Sequence, residues 1–339
     1  MLGEMFMDGN SEATILYDMY TMDRFEFESG KFLENVDVEY SAKGTPKFDD
    51  EGNITNAIIY CHTFNGNYSS VDNIFKLTGD GKPFDFNEYY FISITSLGFP
   101  ESCSPSTTNL KHNFPKYTIK DRVNFKRHFL KERFNLDNIY GIIGKGLGGY
   151  EVYTWACEYP DEMDFIIVVG SCFKTNGYRY VISKCMESII DSSDDFYSDL
   201  YNDSLSRMMV SINRLLYSNY FSKNIFQNLT NDEIDVLMDD FVDEGLFMDI
   251  YDFKLRNDSI IEYDVEDKLK NIKAETLVVS SNRDMYYTPD FDVLPLKDLI
   301  KDCKILIFES EDDYVDYEDC SIIEEDFSTF MEDMKNKKG

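Results

Sequence analysis

The sequence predicts an α/β fold, a mainly parallel sheet with helices on both faces and one helical insertion. Three observations carry that prediction. Short apolar runs alternate with helix-patterned stretches along most of the chain, and such alternation builds a parallel sheet covered by helices. The middle runs, Ala57-Ile-Ile-Tyr, Ile166-Ile-Val-Val and Leu277-Val-Val, are continuously apolar, as strands buried on both faces should be. From Ser188 to Val265 strand runs give way to helical stripes, after which Ala274–Ser281 resumes the sheet.

The elements follow in order. Strands are predicted over Val36–Ser41, Asn56–Cys61 and Tyr90–Ile94. A helix over Thr118–Phe134 opens on a Thr cap, a strand covers Ile139–Ile143, and a second helix over Gly148–Glu158 leads into Tyr159-Pro160. The strand Phe165–Val169 comes next. The stripes Met209, Ile212, Leu216, Tyr220 and Ile234, Leu237, Phe241 then mark the insertion. Thr276–Ser280 and Lys304–Phe308 complete the sheet, and the acidic stretch Glu309–Asp319 reads as a solvated loop whose spacing does not fit an EF-hand. The division is a core of residues 1–187 and 266–339 around an insertion at 188–265.

Composition narrows the function classes. The 339 residues carry 33 Lys+Arg against 64 Asp+Glu, a net charge of −31. With 43% hydrophobic residues and 15% aromatics the chain is too apolar to be a disordered acidic protein. It is long enough to bury a large core without a disulfide or metal staple. A pI near 4.3 disfavours nucleic acid and anionic membrane surfaces, whose phosphates would be repelled. The seven cysteines are an odd, scattered set with no Cys-x-x-Cys pair, which predicts reduced thiols in a cytoplasmic protein and neither a disulfide frame nor a zinc site. The N-terminus, Met1 to Asp8, lacks the basic region and apolar run of a signal peptide, and no apolar stretch is long enough to span a bilayer.

The informative segment is Ile142-Ile-Gly-Lys-Gly-Leu-Gly-Gly-Tyr, where a buried strand runs into a glycine-dense turn and then a helix. Glycines there can cradle a phosphate on a helix N-terminus. They can also form a nucleophile elbow, G-x-S-x-G, with glycine replacing serine: Gly144-Lys145-Gly146-Leu147-Gly148. The first reading wants the first strand of the sheet and an acidic ribose partner; this strand is central and has no convincing partner.

The surroundings favour the elbow. Asn56–Tyr68 reads NAIIYCHTFNGNY, Thr78–Phe86 reads TGDGKPFDF, Phe114–Val123 reads FPKYTIKDRV, and Gly144–Ala156 reads GKGLGGYEVYTWA. This ordered set resembles the homoserine O-acetyltransferase family of α/β-hydrolase-fold acyltransferases. The resemblance starts at Phe25-Glu-Phe-Glu-Ser-Gly, runs to about Gly170, is weak at Asp249–Val265 and returns at Leu277–Pro289. It implies an α/β-hydrolase fold with a helical lid at 188–265, and often a dimer made through the lid. It also implies transfer of an acetyl or succinyl group from acyl-CoA, a co-substrate and not a resident cofactor, to homoserine or serine.

That chemistry needs a serine on the elbow, a histidine to take its proton and an acid to orient the histidine. Carried over, the nucleophile position is Gly146, which has no side chain, while the acid position, Asp284 in Ser280-Ser-Asn-Arg-Asp, is retained. The family's histidine should follow Ile305-Leu-Ile-Phe-Glu-Ser, where this chain has Glu311-Asp-Asp-Tyr-Val-Asp-Tyr, which puts the position at about Tyr314. The three histidines are His62, His112 and His128, so none follows residue 128. The family's substrate-holding arginine has no counterpart around Ser183–Ile190.

What survives is a set of candidates for binding. The backbone N–H groups of Phe64 and Leu147 match the oxyanion hole of the resemblance. His62 lies on the same loop, where it orders the loop or serves as an improvised base, and Lys145 is a cation beside the elbow. Ser102, Ser104 and Ser106 fall in a loop with no base visible in the sequence to activate them. The expectation is a non-catalytic relative holding a small metabolite in a residual pocket, paired through the lid with a second copy or an active paralogue. The alternative is a weak or altered acyltransferase or hydrolase built on Asp284 and Tyr314.

Overall fold

A computed structural model describes residues 6–7, 14–198, 201–219, 223–309 and 323–338. Tyr314 and most of the acidic stretch after Phe308 lie outside the described residues. The strands are β1 (Phe6–Met7), β2 (Thr14–Glu26), β3 (Phe32–Gly44), β4 (Ala57–Cys61), β5 (Tyr90–Ile94), β6 (Ile139–Lys145), β7 (Met163–Val169), β8 (Glu275–Ser281) and β9 (Cys303–Phe308). They form one nine-stranded sheet in the order β1-β2-β3-β5-β4-β6-β7-β8-β9. Pairing is antiparallel from β1 to β5 and parallel from β5 through β9.

The continuous apolar runs are explained by burial on both faces. Along β4, Ile58 and Tyr60 face one core while Ala57, Ile59 and Cys61 face the other. Along β7, Phe165 and Ile167 alternate with Ile166 and Val168 in the same way, the two-residue period of a strand. One face is covered by α1 (Ile119–Phe134) and α2 (Leu147–Glu158), which bring Val123, Phe129, Val152 and Trp155. The other face takes Phe327, Phe330 and Met331 from the C-terminal helix.

Seven strands fall where the apolar runs predict them, and α1 starts as its sequence says. The Thr118 side chain accepts from Asp121 N–H and the Asp121 side chain accepts from Thr118 N–H, a capping box. The long β2–β3 hairpin was not expected beyond Val36–Ser41; its twelve paired positions run from Thr14↔Gly44 to Glu26↔Phe32.

Between β7 and β8 the chain is helical: α3 (Gly177–Asp191), α4 (Asp203–Tyr217), α5 (Lys223–Asn228), α6 (Asn231–Leu246) and α7 (Ile250–Ile261). After β8 come α8 (Leu296–Leu299) and α9 (Glu324–Lys338), the C-terminal helix. Met208, Met209 and Ile212 of α4 pack with Ile182, Met186 and Phe253 in a core of their own. Among the described residues no helix is long and apolar enough to cross a membrane.

Candidate active site

The tip of β6 sets the site. Gly146 stands between β6 and α2 with φ 55° and ψ −119°, a region that side chains enter only under strain. Its N–H donates to the Val169 carbonyl at 3.0 Å and its own carbonyl accepts from Ser171 Oγ at 2.7 Å. A Cβ added at Gly146 would meet nothing nearer than Thr63 Cγ2 and Tyr287 Oη, both at 3.9 Å. The apex therefore has the backbone of an elbow and an empty side-chain space above it. Gly148 is needed for a different reason, because a Cβ there would lie 2.0 Å from the Cys61 carbonyl oxygen. That close approach presses the end of β4 and the loop after it onto the start of α2.

The loop is held from within. His62 is fully buried; its Nε2 accepts from Ser96 N–H at 3.0 Å, which leaves Nδ1 to donate to the Thr63 carbonyl at 2.9 Å. Gly66 N–H donates to the same carbonyl at 3.1 Å. These bonds fix the peptide plane that carries the Phe64 N–H. Neither Phe64 nor Leu147 gives its N–H to another described residue, so both donors stand available beside the apex, as an oxyanion hole requires.

His62 is thus a positioning group, and the improvised-base role fails because both ring nitrogens are already used. Burial, with help from the Lys126 and Arg122 charges, pushes its pKa well below the usual imidazole value. The expected result of an NMR titration of the ring is a neutral Nδ1–H tautomer that persists well below the ordinary imidazole range. Protonation near pH 6.5 would overturn this assignment.

Beneath the loop lies a group of charges that the sequence did not reveal. Glu151 of α2, Arg122 and Lys126 of α1 are all fully buried. Glu151 pairs with Arg122 and, at 2.9 Å, with Lys126. Ser96 Oγ donates to Glu151 Oε1 at 2.8 Å. Burial works against the Glu151 charge, but Arg122 and Lys126 outweigh it and hold the carboxyl down to about 2.

The remaining candidates are placed as follows. Asp284 is buried just after β8, and its Oδ1 accepts from the N–H groups of Tyr286 and Tyr287 at 2.9 and 2.8 Å. That turn brings Tyr287 Oη over the apex. Arg179 of α3 anchors the same segment by a bidentate pair to Asp292 at 2.5 and 2.6 Å and a bond to the Tyr286 carbonyl at 2.9 Å. Lys145 ends β6 half-buried and is engaged. His128 pairs with Glu132 at 2.7 Å on the exposed side of α1, and His112 packs against Tyr197. An acid does face the serine loop: Asp252 of α7 accepts from Ser106 Oγ at 2.6 Å and Ser104 Oγ at 3.1 Å. It also takes the Ser106 N–H at 2.8 Å, which makes it a loop clamp. Among the described residues no group of His, Cys, Asp and Glu could hold a metal ion.

Comparison with known proteins agrees with this geometry. Residues 56–311 match the alpha/beta hydrolase fold family. A probable acyltransferase of Methanothermobacter thermautotrophicus is 38% identical over 292 residues, covering 86% of this chain and 90% of that protein. A homoserine O-succinyltransferase of Acinetobacter baumannii is 22% identical over 298 residues, covering 80% of this chain and 74% of its own length. In fold, the homoserine O-acetyltransferase of Bacillus anthracis matches with a TM-score of 0.80 at 17% identity, over 94% of this chain and 97% of the other. A chain with this sheet, this elbow and these relatives belongs to the α/β-hydrolase fold family.

Proposed function

We propose that the chain is a catalytically silent homoserine O-acyltransferase-like protein whose residual pocket binds a carbonyl or carboxylate of a small metabolite. The observation that carries the reading is the elbow itself, intact in backbone, with Gly146 at its apex and no imidazole able to serve it. Losing either serine or histidine from a serine-hydrolase triad costs on the order of 10⁶ in rate, and the oxyanion hole and binding supply what remains. This reading keeps the Phe64 and Leu147 donors and gives Asp284 the work of closing a turn. It assigns no resident cofactor. It also takes residues 188–265 as a lid through which a second copy or an active paralogue associates, with the exposed Val236, Leu246 and Phe247 as the contact.

A second reading is an altered acyl-CoA-dependent transferase or hydrolase, and the Tyr287 hydroxyl 3.9 Å from the Cβ position at Gly146 is what favours it. The two separate in one assay. CoA release from acetyl-CoA and succinyl-CoA is followed at high protein concentration, with and without homoserine, for the wild type and Asp284→Ala. The expected result is no rate above buffer for either protein. A homoserine-dependent rate that Asp284→Ala abolishes would sink the silent-protein reading.

A further inference from the structure

We propose that Arg256 of α7 is a positioning residue that aims the Phe64 N–H at the ligand's carbonyl or carboxylate oxygen. The proposal rests on the carbonyl-binding reading above. Two peptide planes flank Phe64. The plane before it, which carries the N–H, is fixed through the Thr63 carbonyl by His62 Nδ1–H and Gly66 N–H. The plane after it is fixed by Arg256, whose Nη1 donates to the Phe64 carbonyl at 2.8 Å. With both planes held, the backbone of Phe64 has no remaining freedom to turn its N–H away.

Arg256 is built for this task at a cost to stability. It is 4% exposed and has no carboxylate within ion-pair distance among the described residues. Its second arm, Nη2, reaches the Gly98 carbonyl at 3.3 Å, and its plane stacks 3.6 Å from the Phe99 ring. His62 packs edge-to-face with the same ring, their centroids 4.6 Å apart. Burial pushes the guanidinium down to about 10, with Tyr117 and Asp252 pulling the other way, so it stays charged at neutral pH. An isolated buried charge is expensive, and an apolar residue of the same volume would pack there more cheaply. The planar fork can grip two carbonyl oxygens while stacking on a ring; a lysine ammonium cannot reproduce that geometry. Among the described residues the guanidinium gives its bonds to the carbonyls of Phe64 and Gly98, and α7 comes from the helical segment between β7 and β8.

The experiment is amide hydrogen exchange on the full chain, paired with titration of acetyl-CoA as the probe. Arg256→Lys keeps the charge without the fork, and Arg256→Met keeps volume alone. Both variants are expected to exchange at Gly66, whose N–H is bonded to the Thr63 carbonyl on the Phe64 loop, at least about tenfold faster than wild type, from loss of a charge-assisted bond. Protection at Ile142 in β6 should be unchanged, and acetyl-CoA affinity should fall by about tenfold. Unchanged exchange at Gly66, or equal losses at Gly66 and Ile142, would overturn the assignment, the second by showing only general loosening. If wild type does not bind acetyl-CoA, the carbonyl-binding reading and the ligand half of this proposal fall, while the exchange data still decide whether Arg256 clamps the loop. Where Arg256→Met does not fold, Arg256→Lys carries the test.

Discussion

Gly146→Ser is expected to leave the protein without measurable acyl transfer, although it supplies the hydroxyl that the elbow lacks. The side chain fits, because its Cβ would meet only Thr63 Cγ2 and Tyr287 Oη at 3.9 Å. The cost is backbone strain at φ 55°, ψ −119°, of roughly 1–3 kcal/mol for a residue with a Cβ. The new hydroxyl would have two N–H donors nearby and no base. His62 is committed through both nitrogens, and His112 and His128 pack elsewhere. Turnover of acetyl-CoA with homoserine, or of a p-nitrophenyl ester, should therefore stay roughly 10⁶ below an intact triad. Added imidazole should raise the ester rate of Gly146→Ser and leave wild type unaffected. Efficient turnover by the single variant without imidazole would mean that another side chain acts as base, with Tyr287 the first to test.

What the sequence could show of this arrangement follows from how locally each feature is encoded. The strands from β4 to β8 are legible because both faces of each are largely buried, so the run of apolar residues is nearly unbroken. The elbow is legible because its glycines are sterically required. The β2 strand is not. Its buried residues Met22 and Phe25 are three apart, and the alternation breaks beside Asn35, whose φ is 53°. The charges below the loop are hidden for another reason. Arg122 and Lys126 occupy the buried stripe of α1 together with Ile119 and Val123, and a charge in a helix reads by default as solvated. That i, i+4 pair set into an apolar stripe is the one signal that could have exposed them. Arg256 leaves no such signal, because α7 is buried nearly all round and shows no stripe. Its partners are carbonyls of Phe64 and Gly98, far away in sequence.

Glu151→Gln is expected to produce the largest loss of stability. It leaves Arg122 and Lys126 fully buried without their acid, and breaking a buried pair in this way costs about 3–5 kcal/mol. The depressed Glu151 pKa leads to a similar figure. Glu151 is held at about 2 in the folded chain against an ordinary 4.5, and that difference corresponds to about 3 kcal/mol. Because the folded value is depressed, this stabilisation is complete above pH 4.5 and is lost as pH falls toward 2. Urea unfolding at pH 7 should show the full loss in Glu151→Gln, and the gap to wild type should close on acidification through that window. An unchanged midpoint at pH 7 would mean that the two cations find other partners. A triple replacement of Arg122, Lys126 and Glu151 by apolar residues of similar volume separates stability from function, since such swaps are often neutral or stabilising. It should recover the midpoint but remove the carboxylate that receives Ser96 Oγ, whose N–H in turn holds His62. If the charges serve to aim the loop, the triple variant will be stable yet show altered amide exchange at Gly66, which is bonded to the Thr63 carbonyl. If they serve only the core, its loop will match wild type.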